Sequence, residues 1–112
     1  MEIIRKTEGK VVVIGISGRL DTTHFTEFEN MLMSIIDDGN IHIAIDLSGL
    51  EYISSSGLRV FLMGLKRLNA RGGKMALCCL QENIAQIFKI AGFNTIFQIF
   101  NELQEGIAYC GA

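Results

Sequence analysis

The stretch Ile45-Asp46-Leu47-Ser48-Gly49-Leu50-Glu51-Tyr52-Ile53-Ser54-Ser55-Ser56-Gly57-Leu58-Arg59 decides how the chain is read. An apolar strand runs into a short polar turn, and three consecutive serines open an amphipathic helix. Serine hydroxyls at that point accept hydrogen bonds from backbone N–H groups that the first helical turn leaves unpaired. The same helix end favours an added negative charge, so a phosphate fits there as well. The residues alone leave both readings open: a helix cap or a phosphorylation switch.

Working outward, the helix carries Leu58, Phe61, Leu62, Leu65 and Leu68 on one face, with Arg59, Lys66, Arg67 and Asn69 largely on the other. Gly72-Gly73 closes it. Before the serines, Ile41, Ile43, Ile45 and Leu47 alternate as a strand. Further upstream, Glu2 to Thr7 and Val11 to Ser17 flank a Thr7-Glu8-Gly9-Lys10 turn signal, which predicts an antiparallel hairpin. Gly18-Arg19-Leu20-Asp21-Thr22-Thr23 reads as a polar loop, and Phe25, Phe28, Leu32, Ile35 and Ile36 as a helix stopped by Asp37-Asp38-Gly39-Asn40. Downstream, Lys74 to Leu80 is a strand. Ile84, Ile87, Phe88 and Ala91 mark a helix ended by Gly92, and Thr95 to Phe100 a fifth strand. Asn101 with Gln104 looks like a capping pair for a last short helix.

The expected order is β-β-α-β-α-β-α-β-α. Strands alternating with helices require crossovers onto a parallel sheet. The opening hairpin makes that sheet mixed but mostly parallel. The expectation is therefore one α/β domain over residues 1–112, with helices packed on the sheet.

Bulk composition narrows the function. The 112 residues carry a net charge of −2, with 49% hydrophobic and 20% charged residues and no basic cluster. That argues against nucleic acid and against direct contact with an anionic membrane. No apolar run approaches a membrane-spanning length, so a cytoplasmic protein is expected. Cys78, Cys79 and Cys110 have neither metal spacing nor a C-x-x-C pattern and read as reduced core thiols.

Catalysis finds no purchase. The Gly-x-Ser-x-Gly elbow is missing, and only His24 and His42 are available as bases. His42 sits mid-strand, where a structural role is expected; His24 opens the first helix as a surface or capping residue. Two histidines provide too few donors for a metal, and no glycine-rich phosphate loop follows a strand. Asp46 ends a strand, as the acceptor of a response-regulator receiver does. The Val11-Val12-Val13-Ile14-Gly15-Ile16-Ser17 strand, however, lacks the acidic pair with which receivers hold Mg²⁺. Asp46 is more simply a residue that bonds the loop backbone.

The serine turn also carries a resemblance. With Gly18-Arg19-Leu20-Asp21, Leu68-Asn69-Ala70-Arg71-Gly72-Gly73 and Phe88-Lys89-Ile90-Ala91-Gly92-Phe93-Asn94-Thr95-Ile96-Phe97, it makes the chain resemble the STAS family. The likeness is to bacterial anti-sigma-factor antagonists in particular, and it covers nearly the whole chain. It implies a STAS-like fold and a regulatory binding module rather than an enzyme, with no cofactor and no metal. It implies that Ser56, the residue before Gly57, is the phosphoacceptor, with Ser55 the runner-up. Asp21 is implied to lie beside it, and Ser54, Ser55, Gly57, Leu58 and Arg59 to form its surroundings. The implied partners are an anti-sigma factor with a histidine-kinase-like fold, acting as a serine kinase, and a serine phosphatase. Many switching members carry aspartate where this chain has Ser54. The alternative is a constitutive STAS subunit, docked on a lipid-transport or other signalling complex, whose serines only cap. A monomer or weak dimer is expected in either case.

Overall fold

The computed structural model describes residues 1–112. Five strands form one sheet in the order β1-β2-β3-β4-β5: β1 (Glu2–Glu8), β2 (Val11–Leu20), β3 (His42–Ile53), β4 (Lys74–Cys78) and β5 (Gln98–Phe100). β1 and β2 pair antiparallel through the Gly9 turn, and every other pair is parallel. The helices are α1 (Phe25–Asp37), α2 (Ser55–Ala70), α3 (Glu82–Ile90) and α4 (Leu103–Gly111). The element order and the mixed sheet are those expected from the sequence.

Hydrophobic burial is divided unequally between the two faces of the sheet. The larger cluster holds 23 buried residues, among them Val12, Ile14, Ile16, Ile43, Ile45 and Leu47 from the strands and Phe28, Phe61, Leu68 and Phe88 from α1, α2 and α3. An aromatic chain runs through it, with ring centroids 5.1 Å apart for Phe28–Phe61 and 5.7 Å for Phe61–Phe88. On the opposite face α4 covers a smaller cluster of Val11, Val13, Ala44, Ala76, Cys78 and Cys110. No helix is long and apolar enough to cross a membrane.

Four boundaries differ from expectation, each for a physical reason. First, residues 18–20 and 48–53, expected as part of a polar loop and a polar turn, extend β2 and β3. Gly18 pairs with Leu50, Arg19 with Tyr52 and Leu20 with Ile53, after register shifts between Gly15 and Ser17 and between Gly18 and Arg19. Each shift lets β3 advance one residue more than β2, as a β-bulge does. The core residues of β3 therefore fall at 43, 45, 47, 50 and 53, so strict alternation stops at Leu47 while the strand continues. Side chains at the start of α3 hold the bulged backbone: Nε2 of Gln81, the N-cap residue, donates to Ser48 O (2.8 Å), and Asn83 Nδ2 donates to Glu51 O (2.9 Å).

Second, β4 stops at Cys78 rather than Leu80, because Cys79 takes φ 64°, in the left-handed region. Third, the fifth strand shrinks to Gln98–Phe100. Phe93, which opens a 3-10 turn over Phe93–Thr95, and Phe97, two residues beyond that turn, are both buried, with their rings 5.2 Å apart. Fourth, α4 is capped one residue later than expected. Glu102 and Glu105 form a reciprocal capping box in place of Asn101 and Gln104.

Candidate functional site

The carboxyl ends of β2 and β3 deliver the serines. Ser54 leaves β3 with its backbone N–H donating to Leu20 O (2.9 Å), which ties the start of α2 to the end of β2. Its φ of −87° and ψ of 170° are those of an N-cap, and its hydroxyl accepts from Gly57 N at 3.1 Å. Ser54 is 8% exposed and is the one polar or charged residue in the buried set. The cap of α2 is thus Ser54, and neither Ser55 nor Ser56 is needed for it. An aspartate at this position would make the same bond, since aspartate and serine are comparable N-caps. Aspartate or serine at position 54 is therefore a conservative choice for the helix.

Gly57 sits at the closest approach of α2 to the sheet. A Cβ there would lie 2.9 Å from Leu20 Cγ and 3.0 Å from Ile53 Cγ1. The first turn of α2 is therefore clamped from beneath by Leu20 and Ile53. Above, it is open: Ser55 is exposed and Ser56 half-buried.

Ser56 faces an open cleft of about 260 Å³ between α1 and α2, lined by Phe25, Glu29, Ser56, Arg59, Val60 and Met63. Along α2 those residues recur at i, i+3, i+4 and i+7, one helical stripe; along α1 they are i and i+4. Glu29 and Arg59 give the cleft one charge of each sign, and Arg59 makes no ion pair. Arg59 is exposed and lines the cleft beside Ser56, among whose surroundings the resemblance had placed it. Phe25, Glu29, Val60 and Met63 join the site without having been among its candidates. The stripe on α2 was there to be found from spacing; the facing residues of α1 come together only through the fold.

Asp21 lies in the loop after β2, one residue from Leu20. Its carboxylate accepts from Thr23 N (3.0 Å) and the Thr23 hydroxyl (2.7 Å), and contacts His24 Nδ1 at 2.8 Å. Arg19 Nε is 3.9 Å away and its guanidinium lies 4.1 Å over the Tyr52 ring. The Thr23 hydroxyl, followed by His24, holds the Asp21 carboxyl well below its ordinary pKa. No hydrogen bond joins Asp21 to any of the three serines; the loop reaches them through Leu20. The expected proximity is thus one of adjoining elements and not of direct contact.

The other candidates take structural parts. Asp46 Oδ1 accepts from Ser48 N (3.0 Å) inside the bulge. His42 Nδ1 lies 2.9 Å from Cys110 O. The three cysteines are free thiols. Burial raises Cys78 to about 12 and Cys110 to about 11, and shifts Cys79 upward too. None of them is a nucleophile at neutral pH. No three His, Cys, Asp or Glu side chains gather as a metal site.

The sequence and the fold match known proteins. The model of the STAS domain matches residues 2–106. The chain belongs to the STAS family. A Bordetella bronchiseptica protein, BtrV, named as an anti-sigma factor antagonist, is 32% identical over 92% of this chain and 88% of its own length. A Thermotoga maritima structure, likewise named as an anti-sigma factor antagonist, superposes with a TM-score of 0.93 at 22% identity, covering 98% of this chain and 95% of that one. The Bacillus cell fate determinant SpoIIAA, solved in its phosphorylated form, gives 0.77 at 20% identity over 96% and 98%. The STAS fold expected from the sequence is the fold observed.

Proposed function

We propose that this STAS domain is an anti-sigma factor antagonist controlled by phosphorylation of Ser56. Unphosphorylated, it binds an anti-sigma factor that is also its serine kinase, and the sigma factor is released. Phosphate on Ser56 ends the binding, and a phosphatase restores it. The observation that carries this reading is the division of labour among the serines. Ser54 is occupied by the cap, which leaves the Ser56 hydroxyl free at the edge of a cleft. The resemblance to BtrV supports the partner class. Ser55 is the more exposed hydroxyl, but it lines no cleft and does not precede Gly57.

The electrostatics suffice for a switch. Phosphate adds about −1.5 to −2 charges. At a helix N-terminus this leaves the fold intact. An unmatched charge in a buried interface costs about 3–5 kcal/mol, a loss of roughly a hundredfold to a thousandfold in affinity. Incubation with the cognate kinase and ATP, followed by mass spectrometry, is expected to place one phosphate on Ser56. Phosphate on Ser54 or Ser55 alone overturns the assignment, and no phosphate on any serine overturns the switch.

A further inference from the structure

The Ser56 cleft contains one cation that the fold does not use. Arg59 lies three residues after Ser56, on the same stripe of α2, and lines the same cleft. Arg67 and Arg71 of the same helix are both engaged. Arg67 reaches Asp37 at 3.2 Å, and Arg71 reaches Asp37 at 3.2 Å and Ile36 O at 2.9 Å. Arg59 has no such partner, although Glu29 faces it across the cleft. Helical side chains lean toward the N-terminus, which is the direction in which Ser56 lies from Arg59. The order anion first, cation three residues later, is also the favourable one along a helix.

The geometry points to Arg59 as an intramolecular clamp for phosphate on Ser56, with Glu29 opposing it from α1. The clamp rests on Ser56 being the modified residue. The guanidinium presents a fork that fits phosphate oxygens in two parallel hydrogen bonds. In the unmodified protein the cleft holds one positive and one negative side chain. Once Ser56 is phosphorylated, its one cation is occupied from within, and Glu29 and residual phosphate charge remain. A partner that engages Arg59 then loses that contact as well as meeting a repulsive charge. Arg59 is in this sense a positioning residue: it fixes where the phosphate points and withdraws itself from the interface.

The test uses the full chain with phosphoserine installed at position 56 during translation. It therefore does not depend on a kinase choosing Ser56, and failure of the clamp is distinguishable from failure of the phosphorylation reading. The probe is the ³¹P resonance followed through pH. A phosphoserine has a second pKa of about 6. Arg59→Gln is expected to raise that pKa by about 0.5 relative to the otherwise unchanged phosphoprotein, because a nearby cation favours the dianion. Glu29→Gln is expected to lower it, by less. Arg59→Lys should retain part of the effect, since it keeps the charge and loses the fork. In the phosphoprotein with Arg59 intact, the Arg59 Nε–H resonance should move with the same midpoint as the phosphorus. An identical midpoint in Arg59→Gln overturns the clamp. If that variant does not fold, an Arg59 Nε–H resonance that stays still through the phosphate titration overturns it instead.

Discussion

The N-termini of α2 and α4 are both capped, yet they are built in opposite ways. At α4 the cap and the third helical residue, Glu102 and Glu105, bond each other's backbone reciprocally. At α2 the cap is a buried serine, and the third helical residue is Gly57, which has no side chain to return the bond. Glycine is required there because Leu20 and Ile53 press on the helix from below. The consequence is a helix end clamped on its inner side and bare on its outer side, where Ser55 and Ser56 stand. The α4 end is capped by its own side chains, and the small cleft beside it is reached by Leu103 and not by Glu102 or Glu105. A cap supplied from inside the fold leaves the outer hydroxyls of the first turn without a structural task.

The largest effect expected from this contrast is on binding. Ser56→Asp should leave the melting temperature nearly unchanged, because a carboxylate in the first helical turn suits the helix dipole. Its affinity for the anti-sigma partner should fall strongly, toward the roughly hundredfold set by burying an unmatched charge. Disrupting the α4 box with Glu102→Ala should do the reverse, lowering stability and sparing affinity. Calorimetric titration of both variants decides the matter. A Ser56→Asp protein that is folded and binds as tightly as the parent removes the switch.

The clamp itself can be broken by filling it. Gly57→Val adds a branched side chain against Leu20 and Ile53, where even a Cβ is within 3.0 Å of both. Overpacking of this kind costs about 3 kcal/mol at the upper end of its usual range. Chemical denaturation should register that loss. A variant as stable as the parent would mean that the first turn of α2 is free to lift.

Ser54 sharpens the contrast further. Ser54→Ala removes the cap and leaves a buried Gly57 N–H without a partner, at a cost of about 1–2 kcal/mol. In a domain of this size that is roughly 4–8 °C in Tm per kcal/mol. Ser54→Asp should be close to neutral, and Ser56→Ala should change stability much less than Ser54→Ala. If Ser56→Ala is the more damaging of the two alanine variants, the division of labour among the serines is wrong.

How much of this was legible follows from the periodicities. Helices α1, α2 and α3 were visible because Phe28, Leu32, Ile35, Phe61, Leu65, Leu68, Ile84 and Phe88 repeat at helical spacing, and all are buried. The long ends of β2 and β3 were not visible, because a bulge shifts the phase of alternation and makes a strand look finished. The apolar run from Thr95 to Phe100 fits a strand, but aromatic packing of Phe97 with Phe88 and Phe93 outweighs strand pairing there. The box at α4 was displaced by one residue because glutamate is a weaker N-cap signal than asparagine. The serine run could be located but not apportioned. Which hydroxyl caps depends on where Leu20 O holds the chain, and that contact spans 34 residues of sequence.

The smallest effect concerns the closed side of the molecule. α4 approaches the sheet through Gly106, which packs directly on Cys78 Sγ, and the Cys110 thiol donates to Ile43 O at 3.3 Å. Burial holds both thiols protonated in the folded chain, with Cys78 at about 12 and Cys110 at about 11 against 9.0 for an unperturbed thiol. The sign follows from linkage. A group whose pKa is raised by folding contributes its stability fully below the unfolded pKa and loses it as pH climbs toward the folded one. Stability should therefore be level to about pH 8 and decline from pH 9 toward 11. At pH 10 the decline should be on the order of 1 kcal/mol per buried thiol, one proton over one pH unit. Tyrosines and lysines also titrate in that range, so the quantity to compare is the slope in the parent and in Cys110→Ala. The variant should be less stable at neutral pH through its lost packing, yet show the shallower alkaline decline. Equal slopes would mean that the last turn of α4, which carries Cys110, opens readily enough for the thiol to titrate as if unfolded.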